Sequence, residues 1–246
     1  MPTESWVLLL WWAFVAEVIG TMAGFGAATI LTPIAALFLD VKTAIALVSC
    51  FHLFGNSARL WFFGRSIDWA IWKRFGLTGV ACSLLGAGLT TQLSSTVVKR
   101  LFGLFLVSYV ILSRVAASMR PSGVRLPKTT ATLIGGGIVS GLIAGFIGTG
   151  GAIRSACLLA FDLPKEAYLG TSAAIALLVD ATRLPVYVAG GFIPARMGPV
   201  IAGLVLVAFA GSWVGQRLVR RVSAGAFRGF VMVVLFLMGL KMLMAD

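Results

Sequence analysis

The chain has too few charged residues for a soluble protein. Only 11% of its 246 residues are Asp, Glu, Lys or Arg, whereas 59% are hydrophobic. A soluble domain usually carries about 25% charged residues, so this chain lacks the polar side chains that a surface in water needs. The sequence therefore predicts an all-α polytopic membrane protein.

Residues that catalysis requires are also scarce. The chain has one histidine, His52, and its three cysteines lie in separate apolar stretches without paired spacing. It contains no Gly-x-Ser-x-Gly or HExxH motif, and "GTGGAIRS" lacks the GK[ST] ending of a phosphate loop. We therefore expect no enzyme, no catalytic residue, no metal site, no cofactor and no disulfide framework.

The net charge of +12 suggests nucleic acid as one class of partner. No basic run alternates with aromatic residues, however, so nucleic-acid binding is not expected. Lys and Arg instead lie in short breaks between apolar stretches, as in loops of a membrane protein. The partner that these positions indicate is a lipid bilayer.

Eight apolar segments are separated by charged and turn residues: 5–39, 43–64, 69–93, 97–118, 129–161, 166–190, 194–216 and 224–244. Six suit one crossing of about 20 residues. The first and fifth are too long, since 35 helical residues would extend ~50 Å across a ~30 Å hydrocarbon core. Each has glycines near its middle, in "AGFGAAT" (23–29) and "GFIGTGGA" (145–152). Each is therefore predicted to form two shorter helices, giving about ten helical pieces.

The two glycine breaks recur at an offset of 124 residues. The same offset aligns "NSARL" (56–60) with "DATRL" (180–184) and, with a small slip, "LDVKTA" with "DLPKEA". The chain is therefore predicted to be duplicated. The first repeat covers 1–120, a basic linker loop covers 121–128, and the second repeat covers 129–246.

Charge counting favours inverted repeats. Of the 20 Lys and Arg residues, 17 lie in or near loops. If each broken segment crosses only once, these divide nine to eight, which specifies no orientation. If each makes a down-and-back pair, they divide five to twelve, as the positive-inside rule requires. Each half then has five elements and the halves insert in opposite orientations, with both termini outside.

Charged groups inside a bilayer are costly, so they are functional hypotheses by default. Five are expected there, and their charges sum to +1: Glu17, Arg59, Arg154, Asp180 and Arg183. Arg154 follows the second break, where a helix starting near Gly150 or Gly151 would direct free N–H groups at an anion. The alternative is that these glycines only permit close helix packing.

The other polar residues have two interpretations each. His52, Asn56 and Arg59 share a helix face, and Arg59 is expected to contact a ligand unless it lies near the membrane surface. Asp180 and Arg183, at i and i+3, form either a structural ion pair or part of the site. Glu17, His52 and Asp180 are candidates for coupling to protons, although His52 is also a common kind of packing residue and Glu17 is a partner for an arginine of the other half.

The duplicated motifs resemble the sulfite exporter TauE/SafE family, also called the TSUP family of permeases. The first copy carries "ILTPIAALF", "DVKTAIALVSCF" and "NSARLWFFG", and the second carries "GLIAGFIGTGGAIRS", "DLPKEAYLGTSAAIAL" and "DATRLPVYVAGGFI". The resemblance implies a permease of the cell inner membrane for sulfite or organosulfonates. The chain departs from the family pattern at its glycine clusters and at Cys157, which replaces a proline.

The resulting hypothesis is a secondary transporter of a small anion that works by alternating access. Its predicted substrate-binding residues are Arg154, Arg59, Arg183, Asn56, Thr149, Ser155, Gly148, Gly150, Gly151, Gly24, Gly26 and Thr29. The alternatives are an anion channel and a non-catalytic membrane subunit of a sulfur-handling complex. The substrate, the direction of transport, the coupling ion and whether the chain forms a homo-oligomer stay open.

Overall fold

Helices make up the regular structure of the described part of the chain. The computed structural model describes residues 3–23, 26–119, 126–218 and 224–244, and these ranges contain no strand. Their helices are α1 (Thr3–Ala23), α2 (Ala28–Ala35), α3 (Val41–Phe63), α4 (69–92, made of Trp69–Ile71, a π-helical stretch Trp72–Gly76 and Leu77–Gln92), α5 (Ser95–Met119), α6 (Thr130–Ile147), α7 (Gly151–Leu159), α8 (Lys165–Ala189), α9 (Gly198–Leu218) and α10 (Ala224–Met244).

Polar residues between the apolar segments cap the helices that follow them. Asp40 accepts a hydrogen bond from the Lys42 N–H at 3.0 Å at the start of α3. Thr129 does the same for Thr132 at 3.2 Å before α6. Such caps satisfy N–H groups that have no partner inside the helix. The residues that separate the segments thus also fix where helices begin.

Both long apolar segments contain an interruption. The first falls between α1 and α2, where Gly26 has φ +90°; Gly24 lies outside the described residues. The second falls between α6, which ends at Ile147, and α7, which begins at Gly151. Gly148 at φ +82° ends α6 in the left-handed conformation that glycine adopts without steric cost. The short α2 and α7 have eight and nine residues, about 12–13 Å of helix.

Five helical stretches in the described residues are long and apolar enough to cross a membrane: Ser5–Met22, Ser95–Val115, Thr130–Ile147, Lys165–Ala189 and Ala195–Leu218. They make the chain a multi-pass membrane protein. Fewer stretches qualify than the eight apolar segments of the sequence. One physical reason is visible in α3, whose 23 residues include Lys42, His52 and Arg59.

Glycines allow the long helices to pack closely. Parallel helices α4 and α6 meet through Gly79 and Gly86 against Gly137, Gly141 and Gly145. Parallel helices α1 and α9 meet at Gly211 and Gly215. Helices α5 and α10 also pack on each other. The absence of a Cβ at these positions brings backbones together, as in other membrane helix bundles.

Helices α3 and α8 cross antiparallel at the centre. Near one end, the Thr171 hydroxyl accepts a hydrogen bond from the Asp68 N–H at 2.8 Å. Beyond the other end, the Lys42 ammonium lies 5.0 Å from the Phe192 ring centroid. Their middles meet where His52 and Asn56 contact Asp180. This crossing brings the polar residues of both helices together.

Candidate functional site

Six ionisable side chains from four helices form a buried cluster around the α3–α8 crossing. All are at most 4% exposed. The cluster consists of Glu17 from α1, His52 and Arg59 from α3, Arg154 from α7, and Asp180 and Arg183 from α8. A buried charge requires a partner, because desolvation costs several kcal/mol per ion. The partners of these groups therefore distinguish their roles.

Arg59 is neutralised by Glu17. Its Nε and Nη2 donate to Glu17 Oε1 at 3.2 and 2.8 Å. The same oxygen accepts from the Ser212 hydroxyl at 2.7 Å and from the Thr21 hydroxyl at 3.2 Å. Glu17 therefore pairs with an arginine of its own half of the chain, and this contact satisfies a charge that the sequence left with only neutral neighbours on its helix.

Arg183 is neutralised by Asp180 and caps α6. Its Nε and Nη2 donate to Asp180 Oδ1 at 3.0 and 2.6 Å. Nη1 donates to the Ala144 carbonyl, and Nη2 also donates to the Gly148 carbonyl at 3.2 Å. Carbonyls at a helix C-terminus have no partner inside the helix, and a cation is favourable there. Asp180 and Arg183 thus form an ion pair that also stabilises the second break.

The second carboxylate oxygen of Asp180 joins the two halves. His52 Nδ1 lies 2.7 Å from Asp180 Oδ2, and the Asn56 amide donates to the same oxygen at 3.2 Å. Asn56 and Asp180 are separated by 124 residues, the offset of the predicted repeat. The acid that was a candidate for coupling is therefore in direct contact with the single histidine.

Arg154 has no carboxylate partner among the described residues. Its Nε donates to the Ser172 hydroxyl at 3.0 Å, and its buried Nη2 has no hydrogen-bond partner. The buried ionised side chains of the described ranges sum to +1, and two ion pairs account for all but Arg154. Arg154 therefore holds the unbalanced positive charge at the start of α7.

The two breaks contact each other, and Gly26 of the first break lies beside Arg154. The hydroxyl oxygens of Thr29 and Thr149 are 2.7 Å apart. Gly26 lies next to both His52 and Arg154, since a Cβ added to it would be 2.6 Å from His52 Nε2 and 3.6 Å from Arg154 Nη2. Gly150 caps α7, Gly151 is its first residue, and Ser155 is buried one residue after Arg154. Gly24 lies outside the described residues.

Sequence reasoning missed several polar residues that hold this cluster. Ser172 binds Arg154 and Ser212 binds Glu17, while the Ser140 hydroxyl donates to the Gly150 carbonyl at 2.8 Å. A signal existed for Ser172, which precedes Asp180 by eight residues and so lies near it on one face of α8. Ser140 and Ser212 had no such signal, because serines are common packing residues in membrane helices.

Comparison with known proteins identifies a family. The sequence model of the family described as Sulfite exporter TauE/SafE matches residues 9–242, nearly the whole chain. No curated protein and no solved structure matches the chain.

Proposed function

The chain belongs to the TauE/SafE sulfite exporter family, and from this premise we propose that it is a secondary transporter that moves sulfite or an organosulfonate across the cell inner membrane. Arg154, with Gly26, Thr29 and Thr149 beside it, forms the centre of the substrate site. Transport proceeds by alternating access, in which the two breaks separate toward one side of the membrane at a time.

The unpaired Arg154 is the observation that carries this proposal. An ionised residue at the centre of a membrane helix costs at least about 2.5–3.5 kcal/mol, and no described carboxylate forms an ion pair with Arg154. A small anion supplies the missing charge. Its oxygens accept hydrogen bonds from a guanidinium whose planar fork suits a sulfonate or sulfite.

The helix arrangement supports an inverted repeat. α3 and α8 occupy equivalent places in the two predicted halves and cross antiparallel, which is the relation expected of two halves in opposite orientations. The helix pairs between the halves are also equivalent. Helix α1 of the first half packs on α9 of the second, and its counterpart α6 of the second half packs on α4 of the first.

The distribution of loop charges supports an orientation. Arg65, Lys73, Lys128 and Lys165 lie at the end of the molecule where α3 meets the start of α8. A solvent-open crevice of about 530 Å³ occurs at this end between Arg65 and Glu166. We assign this end to the cytoplasm by the positive-inside rule, so that both termini lie outside.

Transport by purified protein in liposomes tests the proposal. We expect saturable counterflow of radiolabelled sulfite with wild-type protein. Arg154→Ala should lower the rate about 10- to 150-fold, since a hydrogen bond to a charged group contributes about 1.5–3 kcal/mol. Arg154→Lys should recover part of the rate, because it keeps the charge without the bidentate fork.

Arg196→Ala is the matched control, because Arg196 is exposed in the turn before α9. It should transport at the wild-type rate. Normal counterflow by Arg154→Ala would refute the site. Non-saturating sulfite flux would instead indicate a channel, and the absence of any flux from folded wild-type protein would favour a membrane subunit that needs a partner.

A further inference from the structure

Two buried nitrogens without hydrogen-bond partners lie beside Gly26. They are His52 Nε2 and Arg154 Nη2, and a Cβ on Gly26 would contact both. One belongs to α3 of the first half and the other to α7 of the second. A buried polar group without a partner is destabilising, and more so when it is charged. Both nitrogens therefore indicate a ligand at this point between the two breaks.

The other side of the His52 ring is already bound. Asp180 is an acceptor, since both of its oxygens receive hydrogen bonds from Arg183 or Asn56. His52 Nδ1 at 2.7 Å must therefore carry the proton of that contact. Because a neutral imidazole has only one N–H, Nε2 of neutral His52 presents a lone pair. It becomes a donor only when the ring takes up a second proton.

An anion cannot accept a hydrogen bond from a lone pair. Resting on the proposed transport function, we infer that the anion and one proton bind together, with the anion between Arg154 Nη2 and His52 Nε2 and the proton on His52 Nε2. His52 is thus a substrate-binding residue that links the anion to proton movement, and Asp180 is the positioning residue that fixes which ring nitrogen faces the substrate.

With His52 protonated, charge balance favours a doubly charged oxyanion as the bound species. The groups facing His52 are Asp180 from α8, Arg154 from α7 and Arg59 from its own helix, while the α1–α2 connection contributes Gly26. Arg59 is paired with Glu17 and Asp180 with Arg183. With His52 neutral the buried charge is +1, and with His52 protonated it is +2. A sulfite dianion then leaves the loaded site neutral.

The proton reaches His52 by one of two routes, and both give the same bound atoms and the same net charge. When the substrate arrives as the dianion, Nε2 takes a proton from the aqueous side that is open to the site. When it arrives as hydrogen sulfite, its O–H bond breaks and the proton moves to Nε2 while the electron pair stays on the oxygen. No other bond changes, and release of the anion returns the proton to the receiving side.

Calorimetric titration of the purified protein with sulfite tests this inference. The titration is made at mildly alkaline pH, where sulfite is mostly the dianion, in two buffers with different ionisation enthalpies. The difference in heat gives the number of protons taken up per sulfite bound. We expect about one for wild-type protein, none for His52→Gln with binding at least about tenfold weaker, and about one for the control Ser49→Ala, whose buried hydroxyl bonds only Ile45 of its own helix.

The wild-type protein supplies a second measurement that does not depend on a folded variant. Its Kd for the sulfite dianion should rise about tenfold per pH unit on the alkaline side, since one proton is linked to binding. Sulfite binding without proton uptake, a pH-independent Kd, or undiminished proton uptake by His52→Gln would overturn the inference and leave the transport proposal intact. Failure of the folded wild-type protein to bind sulfite would overturn both.

Discussion

At the scale of single residues, Arg154 is held at one edge of its guanidinium and free at the other. Ser172 accepts from Nε, whereas Nη2 faces Gly26 and His52 without a partner. The Ser172 contact therefore restricts the side chain to one orientation before a ligand arrives. Preorganisation of this kind reduces the conformational entropy lost on binding.

Ser172→Ala tests the orientation of Arg154. Removing the hydroxyl leaves the charge in place but lets the guanidinium rotate, so we expect about tenfold weaker sulfite binding with a nearly unchanged maximal rate. That factor corresponds to about 1.4 kcal/mol. Ser57→Ala is the control, because the Ser57 hydroxyl donates only to Leu53 of its own helix, at 2.9 Å. Equal sulfite affinities of the two variants, from concentration-dependent counterflow, would contradict the role of Ser172.

The sequence predicted which charges are buried better than which of them are paired. Hydropathy alone indicates that Glu17, Arg59 and Arg154 lie in apolar segments. Pairing depends on how α1 and α3 rotate against each other, and no periodicity contains that information. Glu17 therefore had two interpretations, proton coupling or pairing with an arginine of the other half, and its contact at 2.8 Å is instead with Arg59 of its own half. Asp180 and Arg183 were predictable as a pair because their spacing on one helix fixes their distance.

At the scale of helices and their connections, glycine acts in two different ways. At Gly26 and Gly148 it allows a left-handed backbone in the two breaks. At Gly86 and Gly141 it allows two helix backbones to touch. The first use shapes the site, and the second holds the helices that carry it.

Gly26→Ala tests the first use. The backbone at this position is left-handed, which costs about 1–2 kcal/mol once a methyl group is present. The methyl group would also contact His52 Nε2, at the proposed anion site. Gly191→Ala is the control, because Gly191 also has a left-handed backbone, with φ +72°, but has open space where the methyl group would lie. We expect both variants to lose similar stability in thermal unfolding and only Gly26→Ala to lose sulfite counterflow, by at least about tenfold. Equal transport by both would exclude Gly26 from the site.

Gly86→Ala tests the second use. Its Cβ would contact the Leu142 carbonyl and lie 2.8 Å from the Phe146 backbone nitrogen in α6. Overpacking of this kind costs about 1–3 kcal/mol, which detergent-dependent unfolding should detect as a lower free energy of unfolding. Gly88→Ala on the same helix has nothing within 4 Å. It should be neutral or stabilising by up to about 1 kcal/mol; a larger loss than in Gly86→Ala would contradict this packing.

Element boundaries were predictable where the backbone requires a special residue. Glycine clusters in over-long apolar segments located the interruption that the structure has between Ile147 and Gly151. The π-helical stretch Trp72–Gly76 was not predictable. Its residues, Trp-Lys-Arg-Phe-Gly, contain no proline or other pattern that marks a change of helical pitch, and the stretch packs against α6 and α8.

At the scale of the whole molecule, the described contacts join the two halves around the candidate site. The Thr29 and Thr149 hydroxyls join the two breaks, and Asp180 joins α3 to α8. Every ionisable group of the cluster is buried. In the proposed transport function, an anion enters only after some contacts between the halves have separated, which is the separation that alternating access requires.

A reversible cross-link tests that separation. We expect Thr29→Cys with Thr149→Cys, in a chain whose Cys50, Cys82 and Cys157 are replaced by serine, to form a disulfide under mild oxidation, since the parent oxygens are 2.7 Å apart and a disulfide needs sulfurs about 2.0 Å apart. Oxidation should stop sulfite counterflow and a reductant should restore it. Each single cysteine variant is a control whose own transport rate oxidation should leave unchanged. Full transport by the cross-linked protein would show that the breaks need not part.

The contact between Asn56 and Asp180 has an evolutionary consequence. If these residues are counterparts in an ancient gene duplication, they meet at the axis that relates the two copies. In a dimer of separate, identical polypeptides, an aspartate at this place would face another aspartate, and two carboxylates in contact cannot both stay ionised. Fusion into one gene frees the two positions to differ, so that an amide on one side stabilises the acid on the other. The unequal chemistry of this centre is therefore open to a chain that carries two diverged copies and is closed to a dimer of identical polypeptides.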